Sequence, residues 1–293
     1  MLKINIGLIR GVCQMPAYIA YEKGFFKELG LDVSYSIDPT AWLLPAKLIS
    51  GEISFGILPW TRTVSARDNR DNLVVIAGSG YEEPATVVRR GAEINSLSEL
   101  KGKRISLPAA GGMKDLTSQA LFKKYDITPE NTEIIRLPSG DAAMLALLSG
   151  RVDATTNVEP YATMAVELGI GKIIARGKDV LPKTPGCSVT TTDDFLRDHS
   201  DAALNFLKAL LKAEARCNKE PEEAAKISSK YIGIPAGIIR EALKYNRPHI
   251  DITGSMDAMM RIVKLMMELG YIKTIPQDFC NFELLKKAKA ESG

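Results

Sequence analysis

Lys47–Trp60 reads KLISGEISFGILPW, and Leu147–Tyr161 reads LLSGRVDATTNVEPY. Each runs an apolar segment into Ser-Gly, then a charged residue, a short β-branched-rich run and a Pro-aromatic pair. Helix–Gly–strand is a common phrase of α/β proteins, but the shared Pro-aromatic ending is not part of it. An echo at a fixed offset signals an internal repeat. Two copies are too few for a solenoid and suit a protein built as two similar lobes.

Outward from these stretches the chain alternates strand and helix. KINIGLI reads as a strand, MPAYIAYEKGFFKELG as a helix closed by Gly30, and LDVSYSI as a strand. AWLLPAKLISG reads as a helix with Pro45 in its first turn, EISFGIL as a strand, RTVSARDN as a helix and LVVIAGS as a strand. A second unit follows, with strands at KRISL, TEIIRL, VDATTN and KIIAR and helices at MKDLTSQALFKKYDI, GDAAMLALLSG and YATMAVELG. After PKTPGCSVTTT, read as a linker, the pattern is mostly helical. Strands alternating with helices imply βαβ units and largely parallel sheets, whose ligands sit at the carboxyl ends of the strands. Two facing lobes would place Trp60 and Tyr161 on opposite walls of one cleft.

Bulk properties exclude several classes. The 293 residues carry 38 Lys+Arg and 35 Asp+Glu, a net charge of +3, which offers no polyanion-seeking surface and argues against a nucleic-acid partner. No apolar run approaches the ~20 residues of a membrane span. MLKINIGLIRG leads straight into a first strand without the apolar core of a signal peptide. Cys13, Cys187, Cys217 and Cys280 lack CxxC or metal-ligand spacing and read as ordinary thiols, so no metal site is expected. His199 and His249 lie in polar segments, read as surface. No Ser/His/Asp arrangement, Walker loop or HExxH motif is present, and neither catalysis nor a cofactor is expected.

The segments PAYIAYEKGFFKELGLDV, KLISGEISFGI, SLSELKGKRISLPAAGGMKDLTSQALFKKYDI, ALLSGRVDATTNVEPY and TTDDFLRDHSDAALNFLKALLKA resemble, in order, the substrate-binding proteins of ABC importers in the nitrate/sulfonate/taurine group, to which thiamine-pyrimidine-precursor proteins are related. That resemblance covers nearly the whole chain. It implies an α/β, two-lobed type 2 periplasmic-binding-protein-like fold, each lobe a mostly parallel sheet flanked by helices, joined by a two-segment hinge. Residues 1–88 plus 188–293, with the helical C-terminal third, would form lobe 1, and 89–187 lobe 2. It further implies a small-molecule ligand, an ABC permease partner and a monomeric protein. The location would be periplasmic or extracytoplasmic if an export signal has been removed, and cytoplasmic otherwise. The loop RGVCQMPAY matches neither the sulfonate nor the pyrimidine binders, so the ligand is not carried over. The rival reading is a cytoplasmic enzyme of the same fold making a vitamin precursor.

The strand-end loops supply the candidate ligand-binding residues. After the first strand, Gln14 offers donors and an acceptor and Met15 an adaptable apolar surface; a plain strand-to-helix turn would also account for them. Trp42 and Trp60 are candidates to stack on a planar ligand or to pack into a lobe. Arg62 could pair with a carboxylate or lie on a solvent face. Tyr81 in GSGYEE is a candidate wall residue, with Glu82 and Glu83 read as solvated. PAAGGMKD places Gly111 and Gly112 before a helix start, followed by Met113 and Lys114, an arrangement that favours negative charge. NVEPY places Asn157, Glu159 and Tyr161 at the matching position of the other lobe. Arg10, Arg62 and Lys114 near strand ends favour an acidic or polar aromatic ligand. Glu159 would instead suit a donor-rich neutral ring.

Overall fold

The computed structural model describes residues 2–292, the side chain of Ser292 excepted, and sets the two echoing segments at equivalent places in two five-stranded sheets. The strands are β1 Leu2–Leu8, β2 Leu31–Ile37, β3 Phe55–Pro59, β4 Leu73–Gly78, β5 Pro84–Arg89, β6 Arg104–Leu107, β7 Glu133–Arg136, β8 Ala154–Val158, β9 Gly171–Arg176 and β10 Cys187–Thr192. One sheet has the order β2-β1-β3-β10-β4, the other β7-β6-β8-β5-β9. β3 and β8, the strands of the echo, are the third strand of each.

The correspondence extends to individual hydrogen bonds. Gly51 and Gly150 adopt φ of 75° and 73°, the left-handed backbone that lets each helix stop there. Gly51 N–H donates to Leu48 O at 3.1 Å and Gly150 N–H to Leu147 O at 3.2 Å. Ile53 N–H then reaches Lys47 O, and Val152 N–H reaches Ala146 O, each at 3.2 Å. Both apolar side chains are buried ahead of the strand.

The sheets are mostly parallel, as expected, with four strands of five running one way and a single antiparallel strand inserted in each. β1 is parallel to β2 and β3, and β6 is parallel to β7 and β8. The fourth strand of each sheet, β10 or β5, runs antiparallel to both of its neighbours. The segment read as a linker is therefore half strand: β10 comes back from the second unit and inserts between β3 and β4. β5 pairs only within the second sheet from Pro84 onward, so the strand containing the expected limit at residue 88 lies in that sheet. The two crossovers run side by side. Ser79 N–H donates to Cys187 O, Gly186 N–H to Gly80 O and Glu82 N–H to Thr184 O, each at 2.9 Å.

The first expected helix is two, Met15–Glu22 and Phe25–Glu28, broken where Gly24 takes φ of 74°. The helix Ser200–Lys219 buries Ala203, Phe206, Leu207, Leu210, Ala213 and Cys217, a 3–4 spacing that seats one face on the first sheet. Phe206 stacks on Phe55 with ring centroids 4.0 Å apart. Met256–Glu268 buries Met259, Ile262, Val263 and Met266 in one cluster with Met113 and Leu116 of the second unit. No helix among the described residues is long and apolar enough to cross a membrane.

Candidate ligand-binding site

A cavity of about 290 Å³ opens where the strand ends of the two sheets face each other. It has room for roughly ten waters at liquid density, which suits a small organic molecule rather than a polymer. Arg10, Trp42 and Arg62 line it from the first unit, and Gly112, Met113, Lys114, Asn157 and Tyr161 from the second. The two units touch around it. Thr61 Oγ1 donates to Gly111 O at 2.8 Å, Val12 N–H donates to Glu159 O at 3.1 Å, and Arg10 stands 3.6 Å from Asp141.

Six of the expected residues lie elsewhere. Trp60 is fully buried; its indole N–H donates to Pro185 O at 2.9 Å and its ring packs against Phe279. It is the first residue of the helix Trp60–Asp68. Gln14 is a brace: its amide donates to Ile57 O and accepts from Ile9 N–H, both at 3.3 Å, tying β1 to β3. Met15 is a core residue. Tyr81 faces away from the cavity, with its hydroxyl bonded to Ser255. Glu159 is buried in structure and does not line the cavity: Oε1 accepts from Arg176 at 2.7 Å and Oε2 from Thr163 N–H at 2.9 Å. Gly111 N–H is also taken, by Asp115 Oδ2 at 2.9 Å. Of the backbone N–H groups in the Gly-Gly turn, that one is already satisfied within the protein. The guanidinium of Arg62 lies against the turn, its nitrogens at ordinary contact distance, 3.5 Å, from where a Cβ would stand, and Gly111 takes the left-handed φ of 80°.

The charges at the cavity are unevenly satisfied. Asp38 is paired with Lys47 at 2.8 Å. Behind the cavity wall, the fully buried Asp115 has Arg136 and Tyr271, each at 2.9 Å. Arg62 reaches only Ala109 O, at 3.4 Å, and its Nε is buried without a hydrogen-bond partner. Lys114 makes no ion pair among the described residues. Burial lowers the pKa of both cations, opposed for Arg62 by Asp115 and for Lys114 by Cys187, Cys13 and Glu83. Tyr161 is pushed up to about 12 by burial and by the neighbouring Asp141.

Sequence reasoning missed Cys13, Glu83 and Cys187, which line the same cavity from the β1 loop and the two crossovers. Glu83, read as solvated, is 4% exposed. Room for it is made by two glycines: a Cβ at Gly80 would lie 2.6 Å from its Oε1, and one at Gly186 only 1.9 Å from its Oε2. Burial raises its pKa, with the adjacent thiols pulling the other way. The four cysteines are free thiols. Only the fold brings Cys13 beside Cys187, since nothing in their spacing links residues so far apart.

The chain matches the family described as NMT1/THI5 like over residues 13–224. It is 28% identical over 228 residues to a 4-amino-5-hydroxymethyl-2-methylpyrimidine phosphate synthase of Saccharomyces cerevisiae, covering 72% of this chain and 65% of that protein. It is 23% identical over 269 residues to the nitrate/nitrite binding protein NrtA of Nostoc sp., covering 83% of this chain and 61% of that one. Both alignments leave more than a third of the relative outside. The alkanesulfonate-binding protein SsuA of Xanthomonas axonopodis, bound to MOPS, superposes with a TM-score of 0.83 at 14% identity, over 96% of this chain and 98% of that one. The fold is that of the two-lobed periplasmic solute-binding proteins, and the chain belongs to the NMT1/THI5-like family.

Proposed function

We propose that the protein is the solute-binding component of an ABC importer, acting outside the cytoplasm, that closes on a small, planar organic acid and delivers it to membrane permease subunits. The lobes would divide in the paired crossovers, close to the limits of residues 88 and 188 expected from sequence. Ligand contacts from both lobes favour closure only through their differential affinity for the closed state. The observation that carries this reading is the pair of under-satisfied cations at the cavity, Arg62 with its orphaned Nε and Lys114 without an ion pair. A half-buried charge of this kind is stabilised by an anion that pairs with it. Trp42, exposed at the cavity mouth, supplies a face for a planar ring.

A thermal-shift screen of aromatic carboxylates against their amides and amines tests the reading, since a bound ligand raises stability with occupancy. Carboxylates should raise the melting temperature. Arg62→Ala should weaken them by about 1.5–3 kcal/mol, the scale of a hydrogen bond to a charged group. Stabilisation by neutral or cationic compounds alone would overturn it. The second reading is an enzyme of pyrimidine-precursor synthesis, favoured by the 28% identity to the yeast synthase. Mass spectrometry of the ligand recovered after prolonged incubation separates the two, because a carrier returns it unchanged.

A further inference from the structure

We propose that Cys13, Glu83 and Cys187 form a site for one thiophilic divalent cation, with Zn2+ as the model ion, on the floor of the cleft. Both sulfurs and a carboxylate oxygen lie within 4.8 Å of one another. A tetrahedral zinc site has ligand atoms roughly 3.5–3.8 Å apart, given bonds of about 2.0–2.3 Å, so side-chain movements of about 1 Å would complete the triad. Each of the three residues is 4% exposed, and Glu83 Oε1 is buried without a hydrogen-bond partner. A carboxylate oxygen enclosed in this way is costly unless something satisfies it.

The surroundings fit a metal as well. Gln14 Nε2 donates to Cys13 Sγ at 3.2 Å while the same amide is anchored by Ile57 and Ile9, an outer contact of the kind that orients a ligand atom. On binding, both thiols release their protons. The resulting three negative charges are balanced by the divalent ion and the neighbouring Lys114 ammonium. Two sulfurs select a soft ion over Mg2+ or Ca2+. Three protein ligands leave a fourth position facing the cavity. This inference does not depend on the identity of the organic ligand, and its test uses none.

The reduced full-length chain is titrated with Co2+ and then Zn2+. One Co2+ per chain should bind with thiolate-to-cobalt charge transfer and the intense visible bands of a tetrahedral ion, and Zn2+ should displace it. Cys13→Ser, Cys187→Ser and Glu83→Gln should each lower zinc affinity at least tenfold, since even outer contacts cost 10–100-fold. Cys217→Ser and Cys280→Ser should leave it unchanged. If a serine variant fails to fold, the cobalt spectrum of the wild-type chain and the Glu83→Gln titration still decide. Absence of charge transfer, or zinc affinity unaltered in the variants of the triad, overturns the proposal.

Discussion

Trp42 and Trp60 are the only tryptophans in the chain, and they occupy opposite environments: Trp42 is 53% exposed at the cavity and Trp60 fully buried. That contrast makes them separable reporters. With the strongest stabiliser from the thermal-shift screen as probe, Trp42→Ala should abolish the ligand-induced change in tryptophan fluorescence. It should weaken binding about tenfold, or about 1.4 kcal/mol, while leaving folding stability within about 0.5 kcal/mol. Trp60→Ala should cost about 3–5 kcal/mol in urea unfolding, as core truncations of this size do. A fluorescence response surviving in Trp42→Ala would remove Trp42 from the site. Sequence alone did not distinguish the two, because each follows a strand in a Pro-containing loop. The deciding fact is the bond from the Trp60 indole to Pro185, a partner on the return crossover that no local pattern announces. Glu83 illustrates the same blindness: its burial depends on Gly80 and Gly186, which meet only in the folded crossovers.

At the scale of elements, the Ser-Gly echo was legible because it is local, each helix stop and strand start being specified within a few residues. β10 was not legible. Its run CSVTTT is β-branched enough for a strand, but it is short, follows Pro185-Gly186, and pairs with strands more than a hundred residues away. In the second unit, Asp153 ties together three strands. Its carboxylate receives Arg104 Nε at 3.0 Å and Nη2 at 2.8 Å, its N–H donates to Arg104 O, and its C=O accepts from Arg89 N–H. Hydrogen bonding from Arg104 outweighs burial and lowers the carboxyl from 3.8 to about 2. A depressed carboxylate stabilises the fold above its unfolded pKa, and the contribution is lost as pH falls through its folded pKa. With Arg104 39% exposed and screened by solvent, the contribution is about 1–2 kcal/mol. Asp153→Asn should therefore be less stable than wild type by that amount at pH 7 in urea unfolding. The gap should close as pH drops from about 4 toward 2, and a gap constant with pH would show that the ion pair is idle.

For the whole molecule, the matching strand orders explain why one construction occurs twice: each sheet has four strands running one way and accepts, in fourth place, the antiparallel strand reached by a crossover from the other unit. The chain crosses between the two sheets through residues 79–83 and 184–187, which are hydrogen-bonded to each other. Glu83 is wedged between them, with Gly80 on its own segment and Gly186 on the other. The crossovers are therefore coupled by side-chain volume as well as by backbone hydrogen bonds. A methyl group at position 186 would sit 1.9 Å from Glu83 Oε2 and 2.3 Å from its carboxyl carbon, so the Glu83 side chain must shift to admit it. Gly186→Ala should consequently destabilise the metal-free protein by about 1–3 kcal/mol, the usual cost of overpacking. Glu83→Ala removes the obstruction, so the double variant should be more stable than the sum of the single effects predicts, by at least about 1 kcal/mol in a double-mutant cycle. Additive effects would mean that the segments adjust independently, and that Glu83 does not hold them together.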